Sequence, residues 1–186
     1  MRSFLAWSML VFLGSLGIGA AANLSAAEPT AFPSTTIDLG MVVGDLEKSL
    51  RFYTDGIGFR EVKGFDVTAD VATAAGLTDS KPLSIRVLVL GDGPQATKLK
   101  LMQVAGTAPR GGDNEFIHSH TGFRYLTIIT ADTTSALERL AKIGVKPLAK
   151  SPVLLPATLA PGEMHLTCVR DPDGNIVELL GPKTSR

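Results

Sequence analysis

The chain has 186 residues, 45% of them hydrophobic, and its 18 basic and 18 acidic side chains cancel at neutral pH. That balance argues against a nucleic-acid or membrane-surface partner. The length suits one domain with a sizeable core once an N-terminal segment is set aside. The one cysteine, Cys168, cannot pair within the chain and sits mid-strand in an apolar context, so it reads as an inert, buried thiol.

Taken in order, residues 1–27 place Arg2 before an apolar run from Phe4 to Ile18 and then Ser25-Ala26-Ala27. This is the pattern of a secretory signal cleaved after Ala27, and the run is shorter than the roughly 20 residues of a membrane span. Export to the periplasm or beyond is therefore expected. Residues 28–36, rich in Pro, Ser and Thr, read as a flexible leader. Residues 37–182 follow as a single domain. An apolar strand, Ile37 to Val43, leads to a helix capped by Asp45, with Leu46, Leu50, Tyr53 and Ile57 on one face and Gly56 and Gly58 as its stop. "GFREVKGFDV", "SIRVLVLG" and "TKLKLMQV" are strands, and "TADVATAAGL" between the first two is a short helix.

After the loop "AGTAPRGGDNEFIHSHTG" the order begins again. "FRYLTIIT" is a strand, Asp132 caps a helix with a face of Leu137, Leu140 and Ala141, and "IGVKPL" turns into a strand. The hairpin "HLTCVRDPDGNIVELLG" closes the domain. The chain is thus a duplication, with modules at 37–104 and 123–182, each running strand, helix, and three strands. Superposing Asp45 on Asp132 sets Asp38 on Tyr125. Superposing the last strands sets Lys100 on Glu178.

"GMVVGDLEKSLRFYTDGIGF" followed by "RDPDGNIVELLG" resembles the vicinal oxygen chelate superfamily, which includes glyoxalase I, bleomycin-resistance proteins and extradiol dioxygenases. The resemblance implies an α+β fold of two βαβββ modules forming an incomplete barrel around a cavity. It also implies a divalent metal held by a His or Gln on each first strand and a Glu on one or both last strands. Those positions here hold Asp38, Tyr125, Lys100 and Glu178. Only Glu178 matches, and the ammonium of Lys100 repels a cation, so the metal site reads as degenerate.

A carboxylate in an apolar strand is costly without a partner. If both last strands face one cavity, Lys100 pairs Glu178, and Asp38 with it, in place of the metal's charge. In a catalytic version Lys100 polarises a substrate carbonyl or carboxylate while Glu178 or Tyr125 exchanges protons. In a plainer one, Lys98 and Lys100 alternate onto a solvated face. Asp38 and His165 are candidate ligand contacts, His165 to a bound anion. His118 and His120 share a metal if their segment is extended, while Arg124 falls on the face away from Tyr125. The insert "ADVATAAGLTDSKP" suits a lid or a dimer contact.

The expected function is a metal-independent small-molecule pocket, in a binding protein or a divergent enzyme, with no cofactor and an organic anion as the candidate ligand. The alternative is a metal-dependent lyase, isomerase or dioxygenase using Asp38, Glu178 and one of His118 or His120 with Mn, Zn or Fe. A third is an exported structural protein. A homodimer is compatible with each.

Overall fold

A computed structural model describes residues 34–184. The expected export signal and the leader up to residue 33 lie outside them. Eight strands form two sheets of the same order. The first is built from β1 (Leu39–Val42), β2 (Arg60–Val67), β3 (Leu83–Leu90) and β4 (Thr97–Met102), arranged β1-β4-β3-β2. The second uses β5 (Tyr125–Ile129), β6 (Val153–Leu154), β7 (His165–Arg170) and β8 (Ile176–Gly181), arranged β5-β8-β7-β6. In each the outer pair, β1 with β4 and β5 with β8, is parallel, and the rest is antiparallel. The fold is α+β, two βαβββ modules side by side, and the sheets do not close into a barrel.

The duplication holds at the level of single residues. Asp45 accepts from Lys48 N at 3.0 Å to cap α1 (Leu46–Arg51). Asp132 accepts from Thr134 N and Ser135 N, both at 3.1 Å, to cap α3 (Thr133–Lys142). An aspartate there satisfies amides that have no partner within the helix. Gly40 stands opposite Lys100, and Thr127 opposite Glu178. Gly40 and Thr127 each lie two residues past Asp38 and Tyr125, so the alignment read from the sequence carries no register slip.

Alternation gives each sheet two unlike faces. Leu99 and Leu101 of β4, Val177 and Leu179 of β8 and Val169 of β7 join the helices' Leu50, Tyr53, Ala136 and Leu140 in one core that spans both modules. Each fully buried aliphatic side chain there contributes about 1.5–3 kcal/mol, so this shared core is what holds the modules together. The opposite faces carry Asp38, Lys98 and Lys100 in the first sheet and Tyr125, Thr127, Glu178 and Cys168 in the second. On the first, α2 (Ala69–Ala74) lies over part of the surface, with Ala72 buried against Leu83, Ile85 and Val87. The insert therefore covers the far half of that face.

Three local readings change. α1 runs on into a wider, π-helical turn over Phe52–Ile57 and ends at Gly58, whose φ of 111° is the left-handed conformation glycine tolerates. Gly56 is not part of that stop; it is buried where α3 approaches. On α3 the buried residues are Thr133, Ala136 and Leu140, and Ala141 is exposed, because the small Ala136 is the side that packs onto the shared core. The strand expected at "IGVKPL" shrinks to the two-residue β6 further on. Pro147, Pro152 and Pro156 lack the amide a ladder needs, leaving Leu148 N to Cys168 O at 2.9 Å as an isolated bond.

Candidate functional site

Between β1 and β5 a cleft of about 470 Å³ opens, walled by Asp38, Met41, Phe123, Tyr125, Asn175 and Ile176. Asp38 and Tyr125, matched by the duplication, therefore share one cavity. The wall is largely apolar with a few polar groups, the usual make-up of a small-molecule site, and its volume lies within the roughly 300–1,000 Å³ of such sites.

Lys100 meets Asp38, not Glu178. Its cross-strand neighbour Gly40 has no side chain, so the ammonium can lean past it, and Nζ stops 2.9 Å from Asp38 Oδ2. Both side chains are about one-third exposed, at 29% and 32%. The hydrogen bond from Lys100 holds the Asp38 carboxyl below its ordinary range against a partial desolvation cost, with the charges of Lys100 and Lys98 adding to it. A depressed carboxylate stabilises the fold above its unfolded-state pKa, and the gain is lost as pH falls through the lower folded value. For a pair this exposed the contribution is below about 1 kcal/mol.

Glu178 finds its partner in its own sheet. Thr127 Oγ1 donates to Glu178 Oε2 at 2.7 Å. The residue that is glycine in module one is thus a hydroxyl donor in module two, and it serves the carboxylate that replaces Lys100. Across β7, Cys168 stands opposite Glu178 on the same face. Burial first, and then the Glu178 charge, push the Cys168 thiol up, so it stays protonated at neutral pH. Glu178→Gln removes the second influence and is expected to speed alkylation of Cys168 by iodoacetamide about two- to three-fold at pH 7.5. An unchanged rate, followed by mass spectrometry of the native protein, would show that the two groups do not feel each other.

The histidines fall elsewhere. The segment from 115 to 122 is a series of turns, not an extended strand, so His118 and His120 do not align as a pair. His118 stacks on Phe116 with ring centroids 5.5 Å apart. Arg124 Nη1 lies 2.8 Å from His120 Nε2. A guanidinium only donates, so Nε2 accepts, and Nδ1 carries the proton that reaches Asp113 O at 2.6 Å. Both ring nitrogens of His120 are engaged inside the loop, away from the metal-ligand role considered for it. His165 shares a face with Thr167 and Val169, opposite Glu178 and Cys168, because it is three residues from Cys168 on β7. The anion contact expected of it does not fit this placement. Among the described residues, no group of three or more His, Cys, Asp or Glu side chains stands together as a metal would require.

The sequence offers no signal for Phe123 or Asn175 as cleft residues, and Arg124, expected on the face away from Tyr125, lines the cleft as well. Arg124 also fastens the loop, donating to Ile117 O, Asn114 Oδ1, Asp113 O and Phe116 O at 3.0–3.1 Å. The dense carbonyl contacts of a single arginine beside a Gly-rich loop left no trace in strand alternation.

The comparisons with known proteins agree with this geometry. Residues 36–179 match the Glyoxalase/Bleomycin resistance protein/Dioxygenase superfamily. A lactoylglutathione lyase from Pseudomonas putida is 30% identical over 155 residues, covering 75% of this chain and 80% of the relative. A glyoxalase family protein from Bacillus cereus has a similar fold, with a TM-score of 0.66 at 16% identity over 83% of this chain and 99% of its own. A glyoxalase I variant from Zea mays gives a TM-score of 0.59 at 21% identity, over 80% of this chain and 45% of the maize chain. The repeated modules, their shared helix-side core and these matches agree: the chain belongs to the Glyoxalase/Bleomycin resistance protein/Dioxygenase superfamily.

Proposed function

We propose that the protein is an exported small-molecule-binding member of this superfamily, or a divergent metal-independent enzyme built on it, whose ligand occupies the cleft between β1 and β5. The observation that carries this reading is the Lys100 ammonium 2.9 Å from Asp38. A lysine already seated on the one carboxylate at its module's family ligand positions is the wrong donor set for a divalent cation. Asp38 and Tyr125 in the cleft wall, with Lys100 seated on Asp38 and Glu178 held by Thr127 on the same face of the second sheet as Tyr125, suit a ligand bearing a carbonyl or carboxylate. In an enzyme of this design Lys100 polarises that oxygen, and Tyr125 or Glu178 exchanges the proton. Val42, Phe65, Tyr125 and Ile129 expose large apolar surface on the faces opposite the shared core, and a second copy of the chain is the proposed cover.

The second reading, a metal-dependent lyase of the glyoxalase type with Mn, Zn or Fe, is favoured by the 30% identity to the lactoylglutathione lyase. Metal content separates the two. Protein purified without chelator is challenged with Mn, Fe, Zn and Ni. The expected result is no stoichiometric metal in the wild type, with saturable binding of small organic anions that Lys100→Met weakens. A stoichiometric metal lost in Glu178→Ala and kept in Lys100→Ala would overturn the proposal in favour of the lyase.

A further inference from the structure

A second cavity lies on the helix side of the molecule and shares no residue with the cleft between β1 and β5. It holds about 440 Å³ between α1, the segment after α3 and the turn between β7 and β8. Its apolar surface comes from Phe52, which is 2% exposed, and from the half-buried Ile143 and Val145. Three exposed cations stand around it: Lys48, Arg51 and Lys146. The acid in its wall, Asp171, is fully engaged, accepting from Tyr53 Oη, Asp173 N, Asn175 N and Asn175 Nδ2 at 2.8–3.0 Å.

The cations are not equally available. Lys48 is held by Asp45 at 2.8 Å. Arg51 makes only a 4.0 Å contact to Asp55. Lys146 has no ion-pair partner among the described residues, since none of the ion pairs within 4.0 Å includes it. An apolar floor with two uncommitted positive charges at its rim complements a molecule with an apolar body and an anionic end. The volume falls in the range of small-molecule pockets, roughly 300–1,000 Å³. The charges sit at the surface, so attraction to the anion is screened by salt over about 8–10 Å.

We propose that this cleft binds a small amphipathic carboxylate, its carboxylate at Lys146 and Arg51 and its apolar body on Phe52, Ile143 and Val145. The assignment is independent of the reading given to the cleft between β1 and β5. A suitable probe is 4-phenylbutyrate, titrated into the ¹⁵N-labelled full chain and followed by amide shifts, with the neutral 4-phenylbutanamide as control. Saturable shifts are expected at Ile143, Val145 and Lys146. The neutral analogue and the Lys146→Glu variant should each bind about tenfold more weakly, and 0.5 M salt should weaken the acid but not the amide. Lys146 is exposed, so its variant is expected to keep the wild-type thermal midpoint, which separates lost binding from lost fold. Equal binding of acid and amide would overturn the proposal, as would indifference to Lys146→Glu. So would shifts confined to Phe123 and Tyr125, or no saturation by about 10 mM, where little binding free energy remains.

Discussion

Asp171→Ala is expected to cost about 3 kcal/mol of unfolding free energy, the largest loss from any single polar side chain here. Asp171 is 5% exposed and Tyr53 fully buried, yet they come from different modules, 118 positions apart. Tyr53 Oη donates to Asp171 Oδ2 at 2.9 Å, and the same carboxylate accepts three bonds from its own hairpin turn. Burial, and then the Asp171 charge, push the Tyr53 phenol up, so it remains a donor throughout the neutral range. Alanine leaves that hydroxyl with only Met41 Sδ at 3.7 Å and strips the turn amides of Asp173 and Asn175 of their acceptor. Tyr53→Phe deletes one donor and leaves the carboxylate its other three, so its cost should be smaller, about 1–2 kcal/mol. Urea unfolding followed by circular dichroism gives both numbers. A loss below about 1 kcal/mol for Asp171→Ala would mean that water replaces these bonds.

The same turn shows what was legible beforehand. "DPDG" read correctly as a tight hairpin, and the two capping aspartates, Asp45 and Asp132, were enough to align the modules without a register slip. Alternation then sorted Lys100 and Glu178 from Leu99, Leu101, Val177 and Leu179. These features depend on neighbours within a strand or a single helical turn, which is why local pattern carries them. Lys100's partner was not of this kind. Choosing between Asp38 and Glu178 requires knowing that the two sheets lie side by side with unclosed faces, and that Gly40 leaves room for the lysine to lean. Pairing of the "DPDG" turn with Tyr53 was invisible for the same reason as Arg124's hold on its loop: both are contacts between segments far apart in the chain.

Gly56→Leu is expected to cost about 3 kcal/mol or more, because this glycine is where the helices of the two modules touch. A Cβ at position 56 would stand 2.8 Å from Ile143 Cδ1 and 3.0 Å from Leu140 Cδ2. These are ends of flexible side chains, so alanine should be accommodated for under about 1 kcal/mol, whereas the three further carbons of leucine have nowhere to go. Leu140, with no exposed surface, should cost about 3–4 kcal/mol as alanine through the cavity it leaves. The two changes are complementary in volume, so Gly56→Leu with Leu140→Ala should be less destabilised than the sum of the single variants by at least about 1 kcal/mol. Strict additivity in urea unfolding would place the strain elsewhere, in the π-helical turn itself. Because α1 follows directly on β1 and α3 on β5, a junction forced apart should also move the walls of the cleft between those strands. Gly56→Leu is therefore expected to weaken any ligand held between Asp38 and Tyr125 without touching either residue, and the double variant to restore part of that binding.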